Sequence, residues 1–163
     1  MSPAQPSGPP SGAASGTPSA TGDRAQGWRT LAALHARIED GIERALQRRH
    51  GLSVNEFCVL HHLAGPDGRH IRMQQLADKL VLSQSATTRL VARLEKRGLL
   101  TRVLSEEDRR GIYAEATPEG RKVHDEAAPT HNAALDDALA EASRLPELTP
   151  LVEALEGLAN LKV

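Results

Sequence analysis

Residues 73–98, MQQLADKLVLSQSATTRLVARLEKRG, constrain this chain more than any other stretch. The spacing predicts two short helices joined by a tight turn. The first carries Leu76, Ala77 and Leu80 on one side. Ser83 is placed to cap the second, because its hydroxyl can accept an orphan backbone N–H. Ala86, Leu90, Val91 and Leu94 then fall at i, i+4, i+5 and i+8, a single buried stripe. The other face presents Gln84, Ser85, Thr87, Thr88, Arg89 and Arg93. Gly98 supplies a stop, with Lys96 and Arg97 in the last turn, where the helix dipole favours cations.

A helix held by its apolar side can enter the major groove of B-DNA, where polar residues of its first turns meet base edges and phosphates. Alone, such a helix more simply reads as a surface helix with a solvated face. The residues after Gly98 reverse that preference. Residues 100–104 and 111–117 have the character of two strands, with Ile112, Ala114 and Ala116 alternating against Tyr113 and Glu115. The charged run SEEDRRG between them is a hairpin tip. Helix, turn, helix and arginine-tipped hairpin make a winged helix-turn-helix.

The pieces LADKL (76–80), SQSATTRLVARLEKRGLL (83–100), Asp108-Arg109-Arg110 and TPEG (117–120) together resemble the MarR family of bacterial transcription regulators. With the flanking helices, the resemblance spans about residues 27–163. It implies a mainly α (α+β) fold: a winged helix-turn-helix flanked by long N- and C-terminal dimerisation helices. It also implies roles. Gln84, Ser85, Thr87, Thr88 and Arg89 lie at or near the bases and Arg93 nearer the phosphates. Asp108 orients Arg110, which enters the minor groove, and Arg109 is a further cation at the tip. An A·T-rich minor groove favours an inserted Arg.

Charge distribution agrees with a reading head here. Overall net charge is only −1, yet residues 69–110 hold ten Lys or Arg against five Asp or Glu, a net of +5. Residues 1–68 hold six of each, and residues 111–163 hold four against ten, a net of −6. Phosphate neutralisation requires positive charge where the reading residues sit.

Residues 1–22 are almost all Ser, Pro, Gly and Ala, apart from Met1, Gln5 and Thr, and read as a disordered tail. They lack the basic start and apolar segment of a signal peptide. No run approaches a membrane span, and the single cysteine excludes an intrachain disulfide framework. The expected compartment is the cytoplasm. The remaining chain, 23–163, reads as one domain, its DNA-binding lobe at about 53–117 between helices at about 23–50 and 118–162.

The first helix carries Leu31, Leu34, Ile38, Ile42, Ala45 and Leu46 on one face and ends in RRHG. Trp28 reads as a packing anchor. Ser53 and Glu56 form a capping box for the next helix, which stops at AGPDG. Residues 69–72 read as a short strand that could pair with the wing. Thr117 and Pro118 open another helix, in which Pro129 should produce a kink or break. The final helix, about 147–162, is more apolar on one face than a monomer needs. Both end helices would leave apolar faces without partners, so a homodimer is expected. Its two-fold axis matches an inverted-repeat operator with half-sites about 10 bp apart. The family resemblance implies the same dimer.

Three sensor chemistries are open to such a regulator. Cys58, among Phe57, Val59 and Leu60, does not match the reactive cysteine of the peroxide sensors and reads as an inert thiol. For a metal, Cys58 with His61 or His62 is the one pair at ligand spacing; His124 and His131 are seven residues apart, too far to share an ion comfortably. No metal or other cofactor is therefore expected. The favoured effector is a small organic anion, which the resemblance places between the dimer helices and the reading head, where Trp28, His35, Phe57, His61, His62 and Arg69 could line a crevice. An enzyme finds no support in any phosphate loop, metal set or activated nucleophile. A winged helix serving only as a protein-interaction module is the alternative, but it has no need of the +5 charge concentration.

Overall fold

The computed structural model describes residues 20–65, 70–104 and 111–159. Most of the 1–22 tail, Arg69 and the wing tip with Asp108, Arg109 and Arg110 lie outside the described residues. The elements run α1 (Ala20–His50), α2 (Val54–Ala64), β1 (Ile71–Arg72), α3 (Met73–Leu80), α4 (Gln84–Lys96), β2 (Leu100–Leu104), β3 (Ile112–Ala116), α5 (Pro118–Ala142) and α6 (Thr149–Ala159). The fold is mainly α, a winged helix with a three-stranded antiparallel sheet ordered β1-β3-β2.

The small strand before the reading head does join the wing. Ile71 pairs with Ala114 and Arg72 with Tyr113, whose ring the Arg72 guanidinium overlies at 5.8 Å. In β3 the alternation holds at Ala114 and Ala116, both buried. Ile112 instead is exposed, opposite exposed Leu104, because the hairpin has run past the core there.

One core joins the reading head to the long helices. Leu46, Leu52, Val59, Leu60, Leu63, Leu76, Val91, Leu94 and Leu100 are all but inaccessible in it. A second cluster, Leu34 with Ala142, Leu148 and Val152, docks α6 and the end of α5 onto α1. Ile38 packs against both clusters and makes them continuous.

Helix ends follow the chemistry of their caps. Ser53 and Glu56 form the full capping box, and Glu43 of α1 accepts a further bond from Val54 N–H at 2.7 Å. Thr117 Oγ1 accepts from Gly120 N–H at 3.0 Å and donates to Gly98 O at 2.7 Å, which fastens the start of α5 to the end of the reading head. Pro129 does not break α5, which continues through it to Ala142. Proline removes one main-chain donor, and packing along α1 and against α2 holds the rest of the helix in line. The last helix begins at Thr149, two residues later than its spacing suggests. Trp28 is no packing anchor within the protomer: it is 68% exposed.

Candidate nucleic-acid interface

The turn between α3 and α4 is closed by Val81 in the left-handed region (φ 53°), with Leu82 N–H donating to Ala77 O at 3.1 Å. Ser83 then caps α4, its Oγ accepting from Ala86 N–H at 3.2 Å. Leu90, Val91 and Leu94 seat the helix in the core. Gln84, Ser85, Thr88, Arg89 and Arg93 project outward and are all exposed. Thr88 ties its hydroxyl to Gln84 O at 2.8 Å.

Thr87 departs from expectation. It is fully buried and donates Oγ1 to Ser83 O at 3.1 Å. The buried stripe is Thr87, Leu90, Val91 and Leu94, at i, i+3, i+4 and i+7. Ala86 is only half-buried at its edge. Threonine can occupy a core position here because the helix backbone satisfies its hydroxyl.

Two carboxylates, Glu56 and Glu95, hold α4 through ionic contacts that local spacing does not reveal. Glu56 of the capping box is 8% exposed. It accepts from Arg97 Nη1 at 3.1 Å and lies 3.7 Å from Arg93 Nε. Glu95 accepts from Arg102 Nε at 2.9 Å and Nη2 at 2.6 Å, binding the end of α4 to β2. The Arg102 guanidinium, chiefly by that side-chain bonding, holds the Glu95 carboxyl below its ordinary range. Arg97 and Glu56 are 41 residues apart in sequence, so no local periodicity could announce them.

The residues expected around an effector are only partly brought together. Phe57 is buried and stacks on His61, with His124 and His131 of α5 completing the ring cluster at centroid distances of 6.0, 5.5 and 4.5 Å. His62 is half-buried beside His61. Trp28 and His35 lie exposed on α1, and His35 faces Glu39 on its own helix at 3.8 Å. Cys58 is partly buried, and burial, then Glu39, pushes its thiol up.

Comparison with known proteins decides the identity. A model of the MarR family matches residues 50–111. The HTH-type transcriptional regulator MhqR of Bacillus subtilis is 31% identical over 109 residues, 67% of this chain and 73% of that protein. The chain belongs to the MarR family. Among solved structures it is similar to Sco3205, a MarR family transcriptional regulator from Streptomyces coelicolor, in complex with DNA. The identity is 31% and the TM-score 0.69, over 84% of this chain and 86% of that one. The homoprotocatechuate degradative operon repressor of Escherichia coli is 27% identical over 134 residues, 80% of this chain and 89% of that one. This MarR family member is thus a DNA-binding transcription regulator.

Proposed function

We propose that the protein is a ligand-responsive repressor that binds an inverted-repeat operator as a homodimer in the cytoplasm. The observation that carries this reading is the face of α4. Gln84, Ser85, Thr88 and Arg89 stand free of the core at the start of a helix anchored on its other side and at its far end. Short hydroxyl side chains let the backbone approach the bases, and Arg89 can bond guanine or phosphate. Asp108, Arg109 and Arg110 at the wing tip extend the contact to the minor groove.

Trp28, Leu31, Leu155 and Leu158, exposed on α1 and α6, support a dimer through the end helices. About 53–117 serve as the DNA-binding lobe between them. No helix among the described residues is long and apolar enough to cross a membrane. The effector is read as a small organic anion. A relative named for a homoprotocatechuate degradative operon supports an aromatic compound, and Phe57, His61 and His62 offer an aromatic, hydrogen-bonding wall. Arg69 supplies a cation for it. A raised Cys58 pKa leaves little thiolate and weighs against peroxide sensing.

The test is a mobility shift with the intergenic DNA beside the protein's own gene, at two salt concentrations, followed by footprinting. A specific, salt-sensitive complex with a two-fold symmetric footprint is expected, and aromatic acids should release it. A folded dimer that binds this and random DNA alike would overturn the reading in favour of an interaction module.

A further inference from the structure

We propose that His61 and His124 form a binding site for one divalent transition-metal ion between α2 and α5. The residues are 63 apart in sequence, yet His61 Nδ1 lies 3.1 Å from His124 Nε2. Sequence spacing pairs each histidine only with neighbours on its own helix. The fold instead pairs them across two helices.

Three features make the pair a ligand set. First, the other nitrogen of His124, Nδ1, is 3.0 Å from Asp125 Oδ1. A carboxylate only accepts, so Nδ1 carries the proton and Nε2 presents its lone pair to the His61 Nδ1–H; when an ion takes the place of that hydrogen, the His61 proton moves to its own Nε2 and both facing nitrogens offer lone pairs. A carboxylate behind a histidine is the arrangement that fixes tautomer and orientation in metal sites. Second, a nitrogen separation of 3.1 Å fits two metal bonds. With metal–nitrogen bonds of about 2.05 Å it closes an angle of about 100° at the ion. Third, the rings are held in place. Phe57 stacks against His61 at 21° and His124 at 17° between planes, so little side-chain freedom is lost on binding.

Among the described residues no group of three or more His, Cys, Asp or Glu gathers to hold an ion. Water or a small anion would therefore fill the other positions. Imidazole pairs suit zinc, nickel and copper rather than magnesium or calcium. Cys58, with its thiol pushed up, is a poor alternative ligand on α2. A bound ion would pin α2 to α5, the helix that carries Glu56 to the one that runs along α1.

Calorimetry of the full, chelator-treated chain with zinc tests the proposal without reference to DNA. One ion per protomer should bind with micromolar affinity. His61→Gln, at an exposed position that should leave folding intact, and His124→Gln should each abolish it. Asp125→Asn should weaken it about tenfold or more, while His131→Gln should leave it unchanged. With copper, the spin-resonance spectrum should show nitrogen couplings that His61→Gln reduces. If the wild-type chain shows no saturable zinc binding, or folded His61→Gln binds as the wild type does, the pair is only an N–H···N bond between imidazoles and the proposal fails.

Discussion

A side-chain carbon placed on Gly120 would stand 1.8 Å from the carbonyl oxygen of Leu99. That approach lets Thr117 N–H reach Leu99 O at 3.1 Å and docks the start of α5 on the end of the reading head. Backbone meets backbone there, so no side chain can swing aside. Gly120→Ala should cost about 3 kcal/mol or more, at the upper end of overpacking effects. Gly157→Ala, where nothing lies within 4 Å, should be neutral or stabilise α6 by up to about 1 kcal/mol. Urea unfolding of the two variants checks both signs.

Glu56→Gln keeps the shape of the capping box and removes the charge that Arg97 and Arg93 share. Because Arg97 is partly exposed and can turn to water, the loss should be about 1–2 kcal/mol rather than that of a fully buried pair. Operator affinity should fall as well, since the end of α4 loses its tie to α2. Thermal unfolding and DNA titration on the same sample separate the two effects.

Thr87 and Thr88 are neighbours with opposite assignments. Thr87→Ala empties a fully buried position and should destabilise the fold by about 1–2 kcal/mol. Thr88→Ala should leave stability within about 0.5 kcal/mol and weaken operator binding. Equal effects of the two on operator affinity at matched folded fraction would contradict the placement of α4.

Stability should fall in mild acid. His61 and His62 are both held below the ordinary imidazole range, in each case by burial first, then by His124 and His131 for His61 and by Lys79 and His61 for His62. The unfolded chain therefore takes up protons before the folded one does. The contribution is complete above the unfolded value of about 6.5 and is lost as pH drops below it. A melting temperature lower at pH 5.5 than at pH 7.5 is expected, with a smaller difference in His62→Gln.

Arg110→Ala should weaken operator binding and lower the slope of log affinity against log salt by about 0.9, one phosphate-linked charge. Fluorescence anisotropy across a salt series reads both, and an unchanged slope would remove Arg110 from the interface.

Much of this architecture is legible in local pattern. Caps at Ser53, Ser83 and Thr117, the α1 period at Leu34, Ile42 and Leu46 and the alternation of β3 at Ala114 and Ala116 are set by neighbours in sequence, and they stand where spacing puts them, whereas Leu31 of the same α1 stripe is exposed. Thr87 misleads because its residue type suggests a polar face, whereas its angular position on the helix assigns it to the core. Trp28 misleads for the converse reason: an aromatic side chain does not announce whether its cover lies in the same protomer. The contacts that hold the reading helix, Glu56 with Arg97 and Glu95 with Arg102, and the His61–His124 pair join separate elements. They become visible only when the chain has folded.

Glu56 and Phe57 are consecutive residues in the first turn of α2, so their side chains leave the helix about 100° apart. One grips the last turn of α4; the other lies against the histidine rings of α5. A twist of α2 about its own axis therefore cannot move one without the other. The short helix is geared to both of its neighbours, and any occupant that turns it at the α5 side also turns the grip on Arg97.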